Sequence, residues 1–228
     1  MEKKATGHIE MILSFVIFIF FVFFLLMYVQ PYKETSLADS VILGLKDKFE
    51  NQNSINYTKI FLRVNELNEG VNCFSVNLGN YDGNSIVKKT DGVDVSSLYS
   101  GSQLSVSSGI SRYYVFISGE FSDASSFSCP EGILESTKYS IGSIETKKVI
   151  SSKSLGILKT RFESGDSNLR SELGVPATLD FSIQTSDNSF VLDKQIPEKV
   201  EVISKTYSFL VLDENNNLNN KDFIFKVW

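Results

Sequence analysis

Few residues of this chain have the types and spacing needed for chemistry. His8 is the one histidine, which excludes a Ser-His triad, a His-rich zinc site and His-ligated iron. Carboxylates and serines are plentiful, but no base stands at a recognisable spacing from a nucleophile, and no phosphate-binding glycine loop occurs. No catalytic residue is assigned, and no enzyme, cofactor or metal is expected. The two cysteines, Cys73 and Cys129, are too few for an all-cysteine zinc site. From Asp213 to Asp222 oxygen-bearing side chains alternate as in a calcium loop, but Leu218 and Ile224 stand where that loop needs Gly and Glu. A polar hairpin loop is the better account. Asn56-Tyr57-Thr58 is a glycosylation sequon.

Composition narrows the field further. Hydrophobic residues at 42% and charged residues at 21% of the 228 exclude wholesale disorder. A net charge of −5 argues against a nucleic-acid partner, since phosphate contacts need a lysine and arginine surplus. From Met11 to Val29 the chain has nineteen residues without a charge. As a helix they would rise about 28 Å, matching a bilayer's hydrocarbon layer of roughly 30 Å. A secretory signal has a shorter apolar stretch followed by small residues at its cleavage site. Leu26-Met27-Tyr28-Val29-Gln30-Pro31 offers none, so a retained single-pass helix in contact with membrane lipid is expected. Lys3 and Lys4 before the run put the N-terminus in the cytoplasm and residues 31–228 outside.

Residues 1–10 read Met-Glu-Lys-Lys-Ala-Thr-Gly-His-Ile-Glu and directly abut the apolar run. This arrangement resembles the class III signal peptide of archaeal type IV pilins and their relatives. In that family a short basic leader ends in Lys or Arg and then Gly or Ala, a prepilin peptidase cuts there on the cytoplasmic side, and Glu is typical at mature position five. Lys3-Lys4-Ala5 matches the leader's end, Thr6 becomes the new N-terminus, and Glu10 falls at position five. Thr6 departs from the Gln that many archaeal members carry first. A cut after Gly7 would leave Glu10 at position three and break the spacing. The resemblance covers about thirty residues. It implies processing between Ala5 and Thr6, self-association or association with other pilin-like subunits, and Glu10 as the assembly residue that meets a neighbour's N-terminal amine. The plain alternative is a single-pass anchor whose lysines and Glu10 are ordinary flank charges.

Beyond Pro31 the residues Leu37, Val41, Leu45 and Phe49 recur every four, which predicts an amphipathic helix over 35–50. After residue 55 the period shortens. Ile60, Leu62 and Val64 alternate, a turn falls at Asn68-Glu69-Gly70, and Phe74, Val76 and Leu78 alternate again, which predicts a hairpin. Tyr81-Asp82-Gly83-Asn84 is a second turn. Residues 90–111 are rich in Ser and Gly and read as a short strand or a long surface loop. Arg112–Ile117 reads as a strand apolar on both faces, and 138–150 as a strand with Lys147 and Lys148 on an edge. A short helix is expected over Asn168–Leu173, capped by Asp166 or Ser167 and stopped by Gly174, with a helical turn before it over Leu155–Phe162. Thr178–Gln184, Phe190–Ile196, Lys199–Leu212 and Phe223–Trp228 read as strands.

The expected fold is therefore α+β, a long N-terminal hydrophobic transmembrane helix followed by one β-rich extracytoplasmic domain. Its divisions are a leader at 1–5, the hydrophobic helix at 6–30, an amphipathic helix and linker at 31–54, and the β-rich domain at 55–228. In an exported domain the even cysteine count favours a Cys73–Cys129 disulfide over two buried thiols that never meet. The function expected is a structural pilin-like or pseudopilin-like subunit at the cell membrane or in a surface filament. The rival is a monomeric, anchored binding module facing the cell exterior.

Overall fold

The computed structural model describes residues 3–28, 35–67, 71–107, 109–122, 127, 129–130 and 132–228, with side chains for 11–25 and for the described residues from 39 onward. The chain divides into two units, 1–41 and 42–228. The first contains helix α1 (Lys3–Tyr28) and the start of α2 (Thr35–Asn53). In the second, Ile42, Leu45, Phe49 and Asn53 of α2 recur at helical spacing and are all buried. Ile42, outside the expected stripe, is fully buried beside Leu45 and Phe49. The Asn53 side chain donates back to the Phe49 carbonyl at 2.8 Å, and the next residue, Ser54, already opens a strand.

The expected fold headed by a transmembrane helix is corrected. Among the described residues the fold is sheet-rich, with 41% strand against 24% helix, and no helix is long and apolar enough to cross a membrane. Sheet dominates because alternating apolar and polar residues run through the strands from Ser54 onward.

The larger sheet has nine strands built as two wings. One wing comprises β1 (Ser54–Val64), β3 (Asn84–Lys89), β4 (Asp94–Val95), β7 (Arg112–Ser118) and β8 (Tyr139–Ser151) in the order β8-β1-β7-β3-β4. The other comprises β9 (Phe181–Thr185), β10 (Val191–Leu192), β11 (Ile203–Leu212) and β12 (Leu218–Val227) in the order β10-β9-β12-β11. The wings meet through a parallel β8–β11 ladder whose partners are Val211 with Ile150 and Leu212 with Ser151.

Each wing has its own core. Ile60, Leu62, Val64, Val87, Tyr113, Val115 and Ile117 form one side of the first. A small sheet of β2 (Phe74–Asn77), β5 (Ser97–Ser100) and β6 (Gln103–Val106) supplies the other, through Phe74, Val76, Tyr99, Leu104 and Val106. On the second wing the Phe49 ring lies 5.4 to 6.4 Å from the rings of Phe190, Phe209, Phe223 and Phe225. Helix α3 (Ser152–Glu163) adds Leu155 and Leu158, and α4 (Leu169–Glu172) adds Leu169.

Several local expectations change. The turn at 68–70 lies outside the described residues, and β2 pairs with β6 rather than forming a hairpin with β1. The Ser- and Gly-rich stretch holds β4, β5 and β6. Strand β7 is buried on one face, with Arg112, Tyr114 and Phe116 on the other. Lys147 and Lys148 pair with Tyr57 and Asn56 of β1 on one side only, because β11 reaches β8 no earlier than Ile150. The turn before β3 requires glycine: at Gly83, with φ of 107°, a Cβ would lie 2.2 Å from the Ser118 carbonyl carbon.

Candidate assembly and binding sites

Ala5, Thr6 and Glu10 lie within α1, and their side chains are outside those described. The helix places Glu10 four residues, about one turn, beyond Thr6, so the two share a helix face. Directly after Glu10 the helix presents apolar side chains on all sides. Met11 is 73% exposed, Phe15 63% and Phe20 75%, whereas large side chains of this kind are normally covered. Such exposed apolar side chains favour contact with other apolar surface.

Cys73 and Cys129 are joined in a disulfide, with Cα atoms 5.8 Å apart. Cys73 immediately precedes β2, whose Ser75 carbonyl accepts from the Leu134 N–H at 2.8 Å. The bridge therefore ties Cys129 to the residue that precedes β2 of the small sheet. Asn56 is exposed on β1 opposite Lys148. Thr58, the third residue of its sequon, is buried with its hydroxyl 3.0 Å from that of Thr146.

The Asp213–Asp222 stretch is the turn and opening of the β11–β12 hairpin. The Asp213 carboxylate accepts from the N–H groups of Asn215 and Asn217 and from the Asn217 side chain, at 2.8 to 2.9 Å. Desolvation pushes its pKa upward, but those donations outweigh it and hold the group below the usual carboxylate range. Asn216 takes the left-handed conformation at φ 62°. The carboxylate that would hold a cation thus shapes the turn. No cluster of three or more metal-binding side chains occurs among the described residues.

Two features escaped the sequence reading. Glu120 is 1% exposed and accepts from the Ser151 hydroxyl and, at 2.8 Å, from the Lys153 N–H. It completes the N-cap of α3, where Ser151 itself accepts from the Ser154 N–H. Nothing in its own neighbourhood signals this, because the helix it caps begins 32 residues later. The second is the outward face of β1 and β7. Lys59 lies 4.5 Å over the Tyr114 ring, Phe61 packs 5.5 Å from Tyr114, and Tyr57 stacks 6.0 Å from Phe116. Burial, with Glu145 adding to it, pushes the Tyr57 phenol up to about 12. Alternation in Arg112-Tyr-Tyr-Val-Phe-Ile was the available signal for this face.

Fold and sites together define a disulfide-closed sheet domain with an apolar N-terminal helix. Compared with known proteins, the chain matches no family model, no curated protein and no solved structure.

Proposed function

We propose that the chain is a structural subunit of a type IV pilin-like or pseudopilin-like surface assembly, processed between Ala5 and Thr6 and packed through its N-terminal apolar helix. The observation that supports this reading is the exposed apolar surface of α1 from Met11 to Leu25, beginning one residue after Glu10. A helix apolar on every side is stable only where other apolar groups surround it, and equivalent helices of neighbouring subunits provide such surroundings. The Thr6-to-Glu10 spacing supports the cut after Ala5 and gives the new amine a carboxylate partner on a neighbouring chain. The disulfide fits an exported domain. The protein's work is packing, and no reaction is assigned to it.

The test is intact-mass measurement or N-terminal sequencing of protein extracted from its own cells, combined with chemical crosslinking. Chains starting at Thr6 and crosslinked to one another are expected. An uncleaved monomer would overturn the proposal and favour the anchored binding module.

A further inference from the structure

The outward face of the first wing carries an ordered strip for which packing through α1 has no use. Strands β1 and β7 are antiparallel, so opposed residues share a face. Arg63 lies opposite Arg112, Phe61 opposite Tyr114, and Lys59 opposite Phe116. Successive rows are about 7 Å apart along the strands. The strip therefore presents a pair of cations, then a pair of rings, then a cation beside a ring, over about 14 Å.

The first row is unusual. Like charges directly opposite one another on neighbouring strands are destabilising, and both arginines are exposed. Among the described residues neither side chain has an ion pair or hydrogen bond. They border a surface cavity of about 270 Å3, lined also by Asn65, Ile110 and Ser111. The carboxylates of this face are engaged elsewhere: Glu145 pairs with Lys147 and Asp94 with Lys88. Glu66, three residues beyond Arg63, pairs with neither arginine. Two guanidinium forks side by side suit an oxyanion, and the rings of the next row, tilted at 55° to one another, offer apolar surface to a C–H-bearing ligand face.

We propose that this strip binds an acidic oligosaccharide, with a carboxylate or sulfate group held between Arg63 and Arg112 and an adjoining sugar ring resting on Phe61 and Tyr114. The disulfide belongs with an oxidising compartment, where such saccharides are accessible. Single-stranded nucleic acid also uses cations and rings. A continuous phosphate chain, however, needs cations along several successive phosphates, whereas the paired arginines stand at one end of a strip of about 14 Å and suit a single oxyanion beside a sugar ring.

The experiment uses the full-length chain in nonionic detergent and titrates four probes: heparin-derived oligosaccharides for the sulfate source, oligogalacturonate for the carboxylate source, maltooligosaccharides as neutral sugars, and oligo(dT). At least one acidic sugar should bind, more weakly as salt rises, while neutral sugars and oligo(dT) bind about tenfold more weakly or worse. Arg63→Gln and Arg112→Gln should each weaken binding about tenfold, with an unchanged or raised melting temperature because a like-charge contact is relieved. Failure of both acidic sugars to bind, equal binding of neutral sugar, preference for oligo(dT), or variants that bind like the parent would each overturn the proposal.

Discussion

Leu212 of β11 lies in parallel register beside Ser151 of β8, and at this point the two wings become one sheet. Leu212 is fully buried in a cluster with Tyr57, Phe121 and Val149. Leu212→Ala should therefore destabilise the domain by about 2–5 kcal/mol, the range for truncating a buried leucine. Urea unfolding measures the loss. A change below about 1 kcal/mol would mean that the corner closes around the gap.

The Cys73–Cys129 bridge spans a sequence separation of 56. On the chain-entropy account a loop of this length stabilises by about 4 kcal/mol. The double variant Cys73→Ser, Cys129→Ser should lower the denaturation midpoint accordingly. Labelling of the unfolded, unreduced parent should find no free thiol, and two labelled thiols in exported protein would contradict the pairing.

Deletion of Phe223–Trp228 should unfold the second wing. Phe223, Phe225 and Val227 are buried, and β12 lies between β11 and β9 with partners on both sides. The expected loss is several kcal/mol, comparable to removing large core side chains. An unchanged melting temperature would refute the account.

Asp213 makes stability depend on pH in a definite direction. Its pKa is lowered in the fold, so the folded state binds this proton less readily than the unfolded chain. The stability it contributes is complete above the unfolded value of about 3.9 and is lost as pH falls through the lower folded value. In Asp213→Asn this component of the pH dependence should vanish. Melting temperatures of both proteins from pH 6 down to pH 2 provide the comparison, and parallel curves would show that the turn does not need the charge.

Glu10→Val tests the assembly proposal without disturbing the sheet domain. The variant should fold as the parent does, yet crosslink to itself several-fold less, because an unpaired amine left against apolar surface costs several kcal/mol. A bulky residue at Ala5 should act earlier, by blocking the cut. Assembly of Glu10→Val at the parent's level would remove Glu10 from this role.

What could be read in the sequence depended on how far apart the partners lie. Phe49 and Leu45 announced the buried face of α2 because helical spacing is local, and Phe223, Phe225 and Val227 announced β12 in the same way. Leu104 and Val106 alternate too, but the surrounding serines and glycines gave 90–111 the composition of a loop, so a short strand or a surface loop was expected where β4, β5 and β6 lie. The Arg63–Arg112 row was invisible for another reason. It exists only through the register of β1 on β7, and register between strands far apart in sequence is set by tertiary packing. The apolar run starting at Met11 was plain in the residues, whereas among the described residues no helix is long and apolar enough to cross a membrane.

The direct passage from Asn53 of α2 into Ser54 of β1 has a mechanical consequence. Tension carried by α2 meets no slack loop between Asn53 and Ser54 before it reaches β1. That strand is held lengthwise between two antiparallel neighbours, by seven paired positions on β7 and ten on β8. Force along it loads those ladders in shear, so many hydrogen bonds must fail together. A strand pulled from a sheet edge would instead unzip them one at a time.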